Sequence, residues 1–89
     1  MKTFTLYSDP GHGWLKVTPA DCESLGMVAE SFTAYSYRDE KFFYLEEDCD
    51  ASRFVLAYES RYGKTPAIKH SDRNSDSPIR KLARIHQNY

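Results

Sequence analysis

The chain of 89 residues and 10.3 kDa is long enough for one small domain and too short for two, and its 40% hydrophobic and 15% aromatic content suffices for a single modest core. The formal net charge of −1 hides a segregation: up to Ser60 there are 5 basic and 11 acidic residues, and from Arg61 onward 7 basic and 2 acidic. No apolar run approaches the roughly 18 to 20 residues that cross a bilayer, which excludes an integral membrane protein built of helices.

Alternation over residues 3–7 places Phe4 and Leu6 on one face of a half-buried strand. Asp9-Pro10-Gly11-His12-Gly13 supplies a fixed φ and two glycines for a reversal, and residues 14–17 resume a strand, completing a hairpin. Thr18-Pro19-Ala20-Asp21 has a capping hydroxyl, a proline at the first helical position and an acid at the third. A short helix ending at Gly26, with Cys22 and Leu25 inward, is expected. Residues 32–37 and 42–45 are aromatic-rich and flank the polar turn Arg38-Asp39-Glu40-Lys41, which predicts a second hairpin. Asp48 or Asp50 is placed to cap a helix over 51–62, with Phe54, Val55, Tyr58 and Tyr62 on one face and Gly63 as its stop.

Residues 66–70 read as a fifth, edge strand with proline only at its start. Residues 71–78 are polar and predict a mobile loop, after which Ile79, Leu82, Ala83 and His86 have the spacing of a marginal helix. The expected fold is α+β: a mostly antiparallel five-stranded sheet of order β-β-α-β-β-α-β, with two helices on one face. A single domain over 1–70 carries a polar loop and a flexible or marginally helical basic C-terminal tail over 71–89.

Asp9, His12 and Lys16 surround the glycine-bearing turn, an arrangement open to simple turn chemistry, to ligand contact or to proton transfer by an oriented imidazole. Neither a GxGxxG pattern nor a Walker lysine is completed there. Glu46, Glu47, Asp48 and Asp50 precede the longer helix, where helix capping, an acidic protein-binding patch and a cation site are all admissible readings, although EF-hand spacing is absent. His12, His70 and His86 form no zinc-type pairs with Cys22 and Cys49. The two thiols, 27 residues apart, are expected to be unpaired, Cys22 in the core and Cys49 with its pKa raised by neighbouring acids. No nucleophile signature is present, so a metal, a cofactor and an enzymatic activity are not expected.

The run Tyr7-Ser8-Asp9-Pro10-Gly11-His12-Gly13-Trp14-Leu15-Lys16-Val17, followed by Tyr44-Leu45-Glu46-Glu47-Asp48-Cys49-Asp50, resembles a group of small uncharacterised proteins encoded by phages, prophages and plasmids. The resemblance covers roughly residues 3–56 and transfers no catalytic or binding residue. It implies a genomic setting in which short proteins bind and block host machinery, CRISPR complexes included. With no signal-peptide block after Met1, the expectation is a protein of the bacterial cytoplasm. The expected function is non-enzymatic docking on a host protein or nucleoprotein complex through Asp9, His12, Tyr35, Tyr37, Glu46, Glu47 and Asp48. The alternative is a small nucleic-acid-binding domain using Lys69, Arg73, Arg80, Lys81 and Arg84.

Overall fold

A computed structural model describes residues 2–85. The first hairpin forms as expected from β1 (Thr3–Ser8) and β2 (Gly13–Val17), paired antiparallel with Leu6 opposite Leu15 and Tyr7 opposite Trp14. Its turn is held by Asp9, whose Oδ1 accepts the N–H groups of Gly11 and His12, both at 3.0 Å. Helix α1 (Pro19–Ser24) starts on the full capping box: Thr18 Oγ1 accepts from Asp21 N at 3.0 Å, and the Asp21 carboxylate accepts from Thr18 N at 2.9 Å. Gly26 leaves it at a φ of 73°.

The second hairpin is shorter than expected. Residues 32–36 are not a strand; a 3-10 turn at Ala29–Ser31 precedes them, and only β3 (Tyr37–Arg38) pairs with β4 (Phe43–Glu46). The aromatic density of 32–37 serves packing across the molecule instead: Phe32 is buried in the main core and Tyr35 lends its carbonyl to the Trp14 indole N–H at 3.2 Å. Helix α2 (Asp50–Tyr62) closes on Gly63 in the left-handed conformation, φ 73°. Its N-cap is Cys49 and makes no side-chain capping bond, so neither Asp48 nor Asp50 plays the expected role. Asp50 is the first helical residue and lies fully inside, accepting from Thr33 N at 2.8 Å, Thr33 Oγ1 at 2.9 Å and Ser36 Oγ at 2.5 Å.

The sheet has six strands and is mixed, in the order β5-β1-β2-β4-β3-β6, which corrects the five-stranded, mostly antiparallel expectation. Strand β5 (Ala67–Asp72) runs two residues further than expected and pairs in parallel with β1. Its direction follows from α2. Thirteen helical residues carry the chain about 20 Å back along the sheet, so the next strand must start from the same end as β4 and run the same way. Strand β6 (Ala83–Arg84) pairs with β3, so part of the expected tail belongs to the sheet. Residues 78–81 form a 3-10 turn, not an α-helix, with Ser77 Oγ capping Ile79 N at 3.2 Å. His86 lies outside the described residues.

Both helices cover one sheet face, as expected. Phe4, Leu15, Val17, Leu45, Cys22, Ala51 and Phe54 make the main core there. The opposite face carries a second, smaller cluster in which Trp14, Tyr44 and Ile79 are buried, with Tyr7, Tyr37, Phe42 and Leu82 against them. Ile79 and Leu82 come from the tail expected to be flexible or marginally helical. It folds back over the sheet because the outward side chains of β1, β2 and β4 are aromatic and have no helix to cover them.

Candidate functional site

The folded-back segment encloses a cleft of about 440 Å³ against the second sheet face. Tyr7 and Tyr44 form its floor, Pro78, Ile79 and Leu82 one wall, and Ser8, Ser71 and Ser77 supply hydroxyls. Two cations, Lys16 and Arg73, and one acid, Asp39, also line it. The pleat places Tyr7, Lys16 and Tyr44 together, because Lys16 is opposite Tyr44 and Tyr7 opposite Trp14 in register. Lys16 Nζ sits 4.0 Å from the centre of the Phe42 ring, a cation–π contact that holds the ammonium over the cleft without neutralising it.

Asp39 is already engaged. Its Oδ1 accepts from Lys41 N at 2.9 Å and Phe42 N at 2.8 Å, and its Oδ2 accepts from the Tyr44 hydroxyl at 2.6 Å. The Tyr44 hydroxyl and these two amides hold its carboxyl below the usual range. Burial, and then the Asp39 charge, push the Tyr44 phenol well above its ordinary value. At neutral pH the cleft thus offers a fixed, neutral phenol and two cations whose charges meet no acid within 4 Å among the described residues.

The expected site residues separate into three groups. Asp9 is withdrawn from any partner: its side chain is fully buried, Arg80 Nε and Nη2 donate to it at 2.6 and 2.8 Å, and Ser77 N adds a third bond at 2.8 Å. The Arg80 guanidinium, first among these, holds the carboxyl far below the usual range. Arg80 itself stacks 5.1 Å from the Trp14 ring, so it is equally unavailable to a phosphate. The dyad of His12 with Asp9 does not form; Asp9 meets only the His12 backbone, and Lys16 belongs to the cleft.

A second group comes together at the far end of the hairpin. His12 Nδ1 lies 3.7 Å from Glu46 Oε2, and Asp48 N donates to the same oxygen at 3.1 Å. Glu46 is buried, whereas His12, Glu47 and Asp48 are exposed. The remaining residues are dispersed. Tyr35 is exposed, Tyr37 packs edge-on to Trp14 at 6.1 Å, and Lys69, Arg73, Lys81 and Arg84 are exposed along the β5 edge and the returning segment.

Tyr7, Tyr44, Ile79 and Leu82 were not among the expected site residues. Alternation in the first hairpin does put Tyr7 opposite the core face, a signal that was present, but nothing local indicated which segment would cover it. Cys22 is buried and Cys49 exposed, both as free thiols; burial pushes the Cys22 thiol up to about 12, and burial together with Glu46, Asp50 and Asp48 raises that of Cys49. Among the described residues no helix is long and apolar enough to cross a membrane. Compared with known proteins, the chain matches no family model, no curated sequence and no solved structure at a significant level.

Proposed function

We propose that this protein acts by binding and not by turnover, docking through its second sheet face on an acidic segment of a host protein. The cleft between the returning segment and the sheet is the observation that carries this reading: aromatic and aliphatic walls can seat one side chain of the partner, while Lys16 and Arg73 receive its carboxylates. The mobile-element setting implied by the sequence resemblance agrees with a small protein that blocks a host complex in this way. Asp9 and Arg80, central to the two charge-based expectations, act here as the clamp that holds the cleft wall in place.

The test places a photo-crosslinking residue at Ser71, inside the cleft, or at the exposed Val28 as a control, in nuclease-treated bacterial lysate. A discrete host protein captured from Ser71 and not from Val28 is expected. Lys16→Glu with Arg73→Glu should weaken its affinity about tenfold or more, since about 1.4 kcal/mol corresponds to one decade. Equal capture from both positions, or indifference to the charge reversal, refutes the reading. Binding that vanishes with nuclease and weakens with salt would instead favour the nucleic-acid alternative through Lys69, Arg73, Lys81 and Arg84.

A further inference from the structure

We propose that His12, Glu46 and Asp48 form a binding site for one divalent transition-metal ion, best suited to Zn²⁺. The three residues are brought together by strand register. Trp14 is opposite Glu46, and the Glu47 N–H donates to the Gly13 carbonyl at 2.9 Å, which carries the pairing one residue beyond the ladder. His12 is therefore aligned with Asp48, and the two-residue pleat puts His12, Glu46 and Asp48 on the same side. One ligand atom from each lies within 4.8 Å of the others.

The distances need only small adjustments. Zinc bonds of about 2.1 Å to nitrogen and oxygen imply ligand atoms about 3.4 Å apart in a tetrahedron, and the His12 Nδ1 to Glu46 Oε2 separation is 3.7 Å. Asp48 is on an exposed loop and can close the remaining gap by a rotamer change.

Two independent features favour an ion over a solvated acidic loop. The imidazole comes from the turn that leads into β2, 34 residues before Glu46 in sequence, and nothing in helix capping accounts for its presence. The Glu46 side chain is only 5% exposed, and its Oε2 is met by the Asp48 backbone N–H at 3.1 Å and by His12 at 3.7 Å. Neither lysine nor arginine approaches it within 4 Å among the described residues. A metal ion bound there would add a full positive charge and directed bonds to a carboxylate that so far meets only a backbone N–H and an imidazole. One imidazole and two carboxylates suit a borderline ion such as Zn²⁺ better than Ca²⁺ or Mg²⁺, which select all-oxygen sets. The exposed side of the trio leaves a fourth position for water or for a group from a partner.

Calorimetric titration of the full chain with Zn²⁺ tests this, with chelator-stripped protein as the starting material. Saturation at one equivalent with a dissociation constant below about 10 µM is expected. Loss of one ligand should weaken binding at least tenfold, so His12→Ala and Asp48→Asn should each show it. His12 and Asp48 are exposed, so both variants should retain the wild-type circular dichroism and melting profile; Glu46→Gln, at the buried ligand, serves as a third test. Cys49→Ser and His70→Ala should bind as the wild type does. Absence of binding at 100 µM Zn²⁺ overturns the proposal, as does binding unaffected by His12→Ala or abolished by Cys49→Ser alone.

Discussion

Asp9 and Asp39 occupy the same position in the two hairpins. Each accepts the N–H groups two and three residues ahead through Oδ1, and each uses Oδ2 for a further hydrogen bond. They differ in what that second oxygen holds: Tyr44 in the case of Asp39, and the Arg80 and Ser77 end of a distant segment in the case of Asp9. Asp9→Asn should accordingly destabilise the fold more than Asp39→Asn, and hydrogen exchange at residues 77–82 should accelerate only in the former. Asp50 carries a heavier local load, because Thr33 N, Thr33 Oγ1 and Ser36 Oγ all donate to one of its oxygens inside the protein. Asp50→Ala leaves those donors without an acceptor and should cost about 3 kcal/mol in urea unfolding. Thr18→Ala, which removes one half of the α1 capping box, should cost about 1 kcal/mol.

The segment from Ser77 to Leu82 shows where reading at the level of elements succeeds and fails. The spacing of Ile79 and Leu82 was legible as that of a marginal helix, but the turn is 3-10, capped by Ser77 Oγ, and its purpose is burial. Local rules for α1, for α2 and its glycine stop, and for the first hairpin sufficed because each rests on residues within a few positions of one another. The parallel pairing of β5 and the burial of Ile79 depend on contacts some 65 residues apart, which no periodicity encodes. The same limit hid the cleft and the convergence of His12 with Glu46 and Asp48, although each of these three residues was legible as a candidate. Since Trp14 is the sole tryptophan and is buried beneath this segment, it reports directly on it. Ile79→Ala should lose about 2 to 3 kcal/mol and shift the fluorescence maximum to the red while the far-ultraviolet dichroism is kept; an unshifted emission would mean that the segment does not cover the indole.

At the scale of the molecule, the opposed charges of the two sequence halves meet, among the described residues, in one close ion pair, Asp9 with Arg80; Lys2–Asp21 and Arg53–Asp50 lie within the acidic half. Arg61, Lys64, Lys69, Arg73, Lys81 and Arg84 have no acid within 4 Å among the described residues, so the near-zero net charge does not reflect neutralised surfaces. The pH dependence of stability follows from the groups that are shifted. Asp9, Asp21 and Asp39 all have carboxyls held below the ordinary range: Asp9 chiefly by Arg80 and Asp39 chiefly by Tyr44, while at Asp21 desolvation opposes the net lowering by Lys2 and Thr18. Below about pH 4 the unfolded chain takes up protons at these sites before the folded one does, so their contribution is present above that pH and is lost as pH falls toward the folded values. Cys22 has the opposite sign. Its thiol is pushed up to about 12, so the unfolded chain releases the proton first once pH exceeds about 8.5; stability is full below that point and declines as pH rises toward 12. Thermal unfolding should therefore show a plateau between about pH 4.5 and 8. Asp9→Asn should make the acid limb shallower, with Asp21 and Asp39 keeping a share of it, and leave the alkaline one, whereas Cys22→Ala should make the alkaline limb shallower, with Tyr44 and Cys49 keeping a share, and leave the acid one. An acid limb unchanged in Asp9→Asn would show that the clamp on the returning segment does not control acid stability.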